Sequence, residues 1–95
     1  MSVVRINNFA AKAGQAERLG KFLLSVVPLI EQAEGCQSCM LLHSHDDENV
    51  FVMIEVWASV DAHRASVKQI PPEKILAAMT MLAAPPSGEY YSKKM

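Results

Sequence analysis

A carboxylate, an indole and an imidazole occur within nine positions of this chain, where an apolar strand runs into a helix. The segment FVMIEVWASVDAHRAS spans residues 51–66 and contains Glu55, Trp57 and His63. A histidine titrates near neutral pH and can serve as a general base. An acid in an apolar strand needs a partner, unless burial raises its pKa and it accepts a substrate proton. We therefore take Glu55 and His63 as candidate catalytic residues.

Two aromatic residues of the same segment could form a wall for a flat substrate. Phe51 and Trp57 share strand parity with Glu55, so all three side chains leave the predicted strand on one face. An indole beside a phenyl ring would suit an aromatic substrate, whereas a lone tryptophan in a small domain commonly packs in the core. Glu55 could simply pair with Arg5 or Arg64. Phe51 and Trp57 are our candidate substrate-binding residues.

The pattern of apolar residues predicts the elements that position this segment. Apolar runs bounded by turn residues predict four strands, over residues 3–11, 36–45, 49 or 50 to 57, and 89–93. Helical spacing predicts three helices, over residues 15–33, 59–68 and 73–83. Ser59 is a suitable N-cap for the second helix. Pro28 is expected to kink or break the first helix near residues 24–27.

This order of elements indicates an α+β fold of β-α-β-β-α-β type, with the last helix split. We expect a single domain over residues 1–95, in which helices cover one face of an antiparallel sheet. The second and third strands carry apolar side chains on both faces, as Leu41 does against Met40 and Leu42. Something should therefore cover the second face. A second copy is the simplest cover, because two-fold dimers are the commonest assemblies.

The composition argues against nucleic-acid and membrane partners. The chain is 51% hydrophobic and 20% charged, with a formal net charge of −1. No basic surface stands out, and no apolar run approaches the ~20 residues that span a bilayer. The N-terminus lacks the charged-then-apolar pattern of a signal peptide. We expect a cytoplasmic protein.

Two cysteines and two histidines resemble a redox or metal site, but strand geometry argues against one. Cys36 and Cys39 are three positions apart and are expected on opposite faces of an extended strand. Cys39, His43 and His45 would extend over ~20 Å, too far to share one ion. We therefore predict no metal site, and cysteines that stay reduced.

The element order, together with EVWAS-x-DAHRAS, VVRINNFAAKAG, GCQSC and the ending APP-x-GEYY, resembles the antibiotic biosynthesis monooxygenase family of dimeric α/β-barrel proteins. The resemblance implies a ferredoxin-like protomer that pairs sheet to sheet with a second copy to close a barrel. It also implies a substrate pocket between each sheet and its helices. Some members are similar to cofactor-free oxygenases that act on polycyclic phenols or quinols. Others degrade haem, isomerise small phosphorylated sugars or have no known substrate.

The resemblance adds Asn7 to the candidate catalytic residues. By its spacing to Lys12 and Gly14, Asn7 matches the strand-one asparagine that haem-degrading and quinol-oxidising relatives place in the pocket. An amide there could hydrogen-bond a substrate carbonyl or phenolate. Asn8 falls on the opposite face of the strand, so only one of the two asparagines can point into the pocket.

The resemblance also argues against haem. Haem-degrading relatives carry a ligand histidine about two turns beyond a second helical tryptophan, and this chain has neither residue type between Ser66 and Leu82. Without an axial ligand, tight haem binding is not expected, and we predict no cofactor. Relatives often carry a second histidine just after the position of His63, where this chain has Ser66.

Three functions remain open for a small-molecule substrate and a homodimer. The first is a cofactor-independent monooxygenase for a quinol or other small aromatic compound, in which Asn7 orients the substrate and His63 or Glu55 takes the proton. The second is an isomerase or lyase that acts on a small polar metabolite in the same pocket. The third is a non-catalytic dimeric binding protein. An apolar cleft would favour the first, an arginine or lysine inside it the second, and a cleft filled by side chains the third.

Overall fold

A computed structural model describes residues 2–94 of the chain. Its elements, in chain order, are β1 (Val3–Ala10), α1 (Ala16–Glu31), β2 (Cys36–His43), β3 (Val50–Trp57), α2 (Val60–Val67), α3 (Pro72–Met81) and β4 (Ser87–Ser92). The four strands form one antiparallel sheet in the order β2-β3-β1-β4. The predicted ferredoxin-like α+β fold is thus confirmed. No helix between residues 2 and 94 combines the length and apolar character that a membrane crossing requires.

The two faces of the sheet differ in what covers them. Along β3, every second side chain from Phe51 to Trp57 is buried and those between are half-buried. The buried set lies on what we call the helix-covered face, where Phe51 and Met53 pack with Leu19 and Leu23 of α1 and Met81 of α3 in the hydrophobic core. The opposite, open face includes the apolar residues Val4, Ile6, Met40, Leu42, Val52, Ile54, Val56 and Tyr91, together with the polar Asn8 and Glu89.

α1 continues through Pro28, so of the predicted kink or break near residues 24–27 the break does not occur. Pro28 lies in the last turn, where its missing N–H costs only the bond to the carbonyl of Leu24. Leu24 is on the exposed side of the helix, at 61% exposure, where solvent can hydrate that carbonyl. The helix ends at Glu31, so little regular structure follows the proline.

A β-bulge in β2 overturns the expectation that Cys36 and Cys39 leave the strand on opposite faces. Cys36 pairs with Trp57 and Cys39 with Glu55, and the register shifts between Cys36 and Ser38. The extra residue resets the alternation, so both cysteines occupy register positions on the helix-covered face. Both are free thiols. Burial raises the pKa of each, to about 12 for Cys39, which disfavours the reactive thiolate.

The position of α2 over the sheet depends on its first turn and on a close contact with Gly35. As predicted, Ser59 caps α2, because its hydroxyl accepts the backbone N–H of Ala62 over 3.1 Å. Gly35 has a φ of +87° in the turn before β2, and a Cβ on it would lie 2.6 Å from the Cβ of Ala62. Only a residue without a side chain allows this approach. The same helix carries His63, so this contact helps to position that side chain.

Gly35→Ala should lower the free energy of unfolding by about 2–5 kcal/mol. Left-handed backbone costs an alanine about 1–2 kcal/mol, and the overlap with Ala62 adds an overpacking cost of about 1–3 kcal/mol. Gly14→Ala is the matched control, because Gly14 has a φ of +80° and nothing within 4 Å of an added Cβ. Urea denaturation of both variants measures the difference. Equal losses would show that the contact with Ala62 does not hold α2 in place.

Candidate functional site

The carboxyl group of Glu55 is buried and accepts hydrogen bonds at both oxygens. Glu55 is 3% exposed. The indole Nε1 of Trp57 donates to Oε1 over 2.8 Å, and Nδ2 of Asn7 donates to Oε2 over 2.9 Å. Arg5 Nε donates to Asn7 Oδ1 over 3.0 Å. Because a guanidinium only donates, this last bond orients the amide so that its NH₂ group faces Glu55.

Burial, hydrogen bonding and a nearby charge all act on the pKa of Glu55. Burial raises it and is the largest of them, whereas the hydrogen bonds from Trp57 and Asn7 and the charge of Arg5 lower it. The net result is a pKa above the ordinary value for glutamate. Glu55 therefore holds a proton more readily than a solvent-exposed glutamate would, which suits a group that takes part in proton transfer.

His63 reaches this carboxyl group from the first turns of α2. Its side chain is nearly buried, with the residue 7% exposed. Nε2 lies 3.9 Å from Glu55 Oε1, beyond hydrogen-bond distance, and Nδ1 lies 2.6 Å from the hydroxyl oxygen of Tyr90. The imidazole meets the indole of Trp57 edge-on, with ring centroids 5.4 Å apart and planes at 70°. His63 thus bridges β3 and β4.

The surroundings of His63 keep its imidazole neutral. Burial is the main cause that lowers its pKa below 6.5, and the positive charges of Arg5 and Arg64 lower it further. Both guanidinium groups also lie over the ring of Tyr90, at 4.5 Å for Arg5 and 5.9 Å for Arg64. A neutral imidazole at pH 7 can accept a proton. The side chains facing His63 therefore include one acid, Glu55, and two permanent positive charges.

The structure brings four of the five predicted site residues together: Asn7, Glu55, Trp57 and His63. Trp57 is fully buried, at 0% exposure. Phe51 lies six residues before it on β3, roughly 20 Å away at the rise of a strand, so the two rings do not form one wall. Phe51 instead stacks on His43, with centroids 4.3 Å apart. These two rings line a groove of about 510 Å³ between α1 and the β2–β3 edge.

Two members of the cluster were not predicted. Tyr90 pairs with Arg5 and lies on the helix-covered face, whereas Tyr91 pairs with Val4 on the open face and is 47% exposed. The sequence left open which tyrosine faces inward. Arg5 was considered as a partner for Glu55, but it bonds Asn7 instead. The two-residue spacing of Arg5 and Asn7 on one strand is the signal that points to this contact.

Metal-binding side chains do not gather at this cluster. In the part of the chain that the structure describes, no three side chains of His, Cys, Asp or Glu form a group that could hold a metal ion. The polar groups present, an amide, a carboxyl, an imidazole and a phenol, are suited to hydrogen bonding and proton transfer.

Comparison with known proteins places the chain in a family. A family model described as antibiotic biosynthesis monooxygenase matches residues 2–72. The chain belongs to the antibiotic biosynthesis monooxygenase family. Among solved structures, SnoaB, a cofactor-independent oxygenase from Streptomyces nogalater, is 20% identical with a TM-score of 0.84, over 99% of this chain and 94% of that chain.

Two further solved structures have the same fold as this chain. A protein of unknown function from Nitrosomonas europaea is 24% identical with a TM-score of 0.85, over 99% of this chain and 90% of that chain. The Rv0793 protein from Mycobacterium tuberculosis is 19% identical with a TM-score of 0.84, over 98% of this chain and 95% of that chain. No curated protein matches the chain by sequence. At these identities the structural likeness establishes the fold alone.

Asn7→Ala should destabilise the protein by about 1.5–3 kcal/mol, because it removes a hydrogen bond to a buried charged group. Asn8→Ala is the matched control. Asn8 is exposed and lies on the opposite face of β1, so its loss should change stability by no more than about 0.5 kcal/mol. Urea unfolding followed by the fluorescence of Trp57, the one tryptophan, measures both. Similar losses would contradict a stabilising role for the Asn7–Glu55 bond.

Proposed function

We propose that this protein is a cofactor-independent monooxygenase that oxidises a small quinol or other aromatic substrate with dioxygen. The observation that carries the proposal is a neutral, nearly buried His63 against a Glu55 carboxyl group that is itself held by two donors. An electron-rich aromatic anion can reduce dioxygen directly, so the protein must chiefly remove a proton and hold the anion. One base and one hydrogen-bond donor are the minimum for that task.

The proposed roles follow from the hydrogen-bond donors and acceptors that are not already used within the cluster. The amide of Asn7 uses one N–H on Glu55 and one lone pair on Arg5, which leaves a second N–H to orient a substrate oxygen. His63 is the base. Glu55, 3.9 Å from Nε2, stabilises the imidazolium once the proton arrives. Trp57 holds Glu55 through its indole N–H. Family membership supports this class of reaction, as does the similarity in fold to SnoaB, itself described as a cofactor-independent oxygenase.

Two observations favour the other candidate functions. Arg5 brings a positive charge to the edge of the cluster, which would suit an anionic metabolite and an isomerase or lyase. The same charge would also stabilise a phenolate. Trp57 and Met53 are almost completely buried, and a site filled by side chains would suit a non-catalytic binding protein. Substrate turnover with or without oxygen uptake separates the three candidates.

We also propose that the protein forms a homodimer through the open face of the sheet. That face exposes large apolar side chains, with Met40 at 53%, Leu42 at 41% and Tyr91 at 47%. Exposed apolar patches of this kind mark interfaces. A second copy would present the same apolar side chains, and Glu89 is the one charged residue among the strand positions of this face. A cytoplasmic location, in which two free thiols stay reduced, completes the proposal.

The wild-type protein should consume oxygen with at least one member of a panel of hydroquinones, without added metal or flavin. His63→Ala and Asn7→Ala should each lower kcat by about 100-fold, the scale of general acid–base catalysis. His45→Ala, at an exposed hairpin position, is the control and should retain the wild-type rate. An oxygen electrode measures each rate.

The same assay tests the protonation state of His63. A base must be unprotonated to act, so the rate should be retained above the pKa of His63 and lost as the pH falls through it. Because that pKa is lowered, the loss should be centred below pH 6.5. An absence of oxygen uptake across the panel by the intact protein would overturn the oxygenase proposal. Turnover of an anionic metabolite without oxygen uptake would favour an isomerase or lyase instead.

Ile54→Glu should convert the dimer into a monomer. Ile54 lies at the centre of the open face, paired with Ile6 and Met40, so a carboxylate there would be buried without a partner. Leu76→Glu, at a position on α3 that is 68% exposed, is the control and should remain dimeric. Multi-angle light scattering should give a mass near twice the 10.4 kDa of one chain for the wild type. A wild-type mass of one chain would contradict the dimer.

A further inference from the structure

Five side chains of the candidate site form a closed ring, and Tyr90 closes it. Arg5 bonds Asn7, Asn7 bonds Glu55, Glu55 faces His63, and His63 bonds Tyr90. The aromatic ring of Tyr90 then lies 4.5 Å below the guanidinium of Arg5. The oxygenase proposal assigns no part to Tyr90, although its hydroxyl makes one of the shortest side-chain contacts of the cluster.

The neighbours of His63 determine which of its nitrogens carries the proton. Nε2 faces the carboxyl oxygen Oε1 of Glu55 at 3.9 Å. A hydrogen on Nε2 would be attracted to the carboxylate, whereas a lone pair on Nε2 would be repelled by it. The Nε2–H tautomer is therefore favoured, and it leaves the lone pair on Nδ1. Tyr90, 2.6 Å away, must then donate its hydroxyl hydrogen to Nδ1.

This arrangement shields His63 from a substrate. His63 is 7% exposed. Its basic nitrogen, Nδ1, is occupied by the hydroxyl of Tyr90, and Nε2 points inward to Glu55. Tyr90 is half-buried, so its phenol is the more accessible group. A substrate hydroxyl would therefore meet Tyr90 before it could meet the buried base.

We propose, building on the oxygenase function above, that Tyr90 is the catalytic residue that meets the substrate hydroxyl and relays its proton to His63. The proton of the substrate O–H passes to the oxygen of Tyr90 while the Tyr90 hydroxyl proton passes to His63 Nδ1. The products are a substrate oxyanion, a neutral tyrosine and an imidazolium whose Nε2–H faces the Glu55 carboxylate. Two O–H bonds break, one O–H and one N–H bond form, and no electron is transferred.

The relay also points to a substrate class. The relay requires a substrate that carries a hydroxyl group, and the phenolic hydroxyl of a hydroquinone, the substrate class proposed above, supplies one. The nearby guanidinium groups of Arg5 and Arg64 favour the resulting anion.

The first test needs no substrate. Nitrogen-15 NMR on the full-length, uniformly labelled protein reports which imidazole nitrogen is protonated, and His63→Gln identifies the His63 signals. In the wild type at neutral pH, Nδ1 should show the shift of an unprotonated, hydrogen-bonded nitrogen and Nε2 that of a protonated one. Tyr90→Phe removes the donor and should shift Nδ1 toward the value of a nitrogen without a hydrogen bond. His45→Ala, at an exposed hairpin position, should leave both His63 signals unchanged.

The second test measures the relay itself. With a hydroquinone that the wild type oxidises, Tyr90→Phe should lower kcat by about 100-fold and change KM far less, whereas His45→Ala, at an exposed hairpin position, should stay within about twofold of the wild type. Unchanged His63 signals in Tyr90→Phe, or a kcat equal to that of His45→Ala, would overturn the relay while leaving the oxygenase proposal intact. No oxygen uptake by the wild type would overturn the oxygenase proposal and the relay together. Circular dichroism and thermal unfolding of both variants check that each remains folded.

Discussion

The buried carboxyl group of Glu55 is the constraint on which the candidate site depends. A carboxylate removed from water is costly unless hydrogen bonds replace its hydration. Here the two donors come from two different strands, Asn7 on β1 and Trp57 on β3. The register pairs Arg5 directly with Glu55 and so places Arg5 where it orients the Asn7 amide. A slip of one residue in β1 would turn Arg5 and Asn7 to the open face.

The same carboxyl group can offset the weak basicity that the lowered pKa of His63 implies. An imidazole that resists protonation is a weak base by itself, because burial and two guanidinium groups oppose the positive charge. Glu55 lies close enough to attract an imidazolium at Nε2, yet at 3.9 Å it makes no hydrogen bond to the neutral ring. Its stabilisation therefore grows as the proton arrives. A contact that strengthens during the reaction, and not before it, is what accelerates a chemical step.

Much of the fold and part of the site could be predicted from sequence, because both depend on periodicity. Strand parity separates Asn7 from Asn8 and places Glu55 on the same face as Trp57, and the capping preference of Ser59 marks the start of α2. Strand parity does not predict which strands lie side by side in the sheet. The contact between Tyr90 and His63 depends on β4 lying beside β1, which no local pattern specifies. The bulge that turns Cys36 to the helix-covered face depends on pairing with β3.

The two faces of the sheet are coupled through the backbone that they share. The site residues on the strands have immediate neighbours on the open face: Ile6 lies between Arg5 and Asn7, Ile54 precedes Glu55, and Tyr91 follows Tyr90. A second copy packed on the open face, as proposed, would restrict these neighbours and hence the strand positions that carry the ring of side chains around Glu55. Catalytic groups need positions held within a fraction of an ångström. A four-stranded sheet with one uncovered face would deform more easily than a sheet packed on both sides, so dimer formation would also contribute to the geometry of the site.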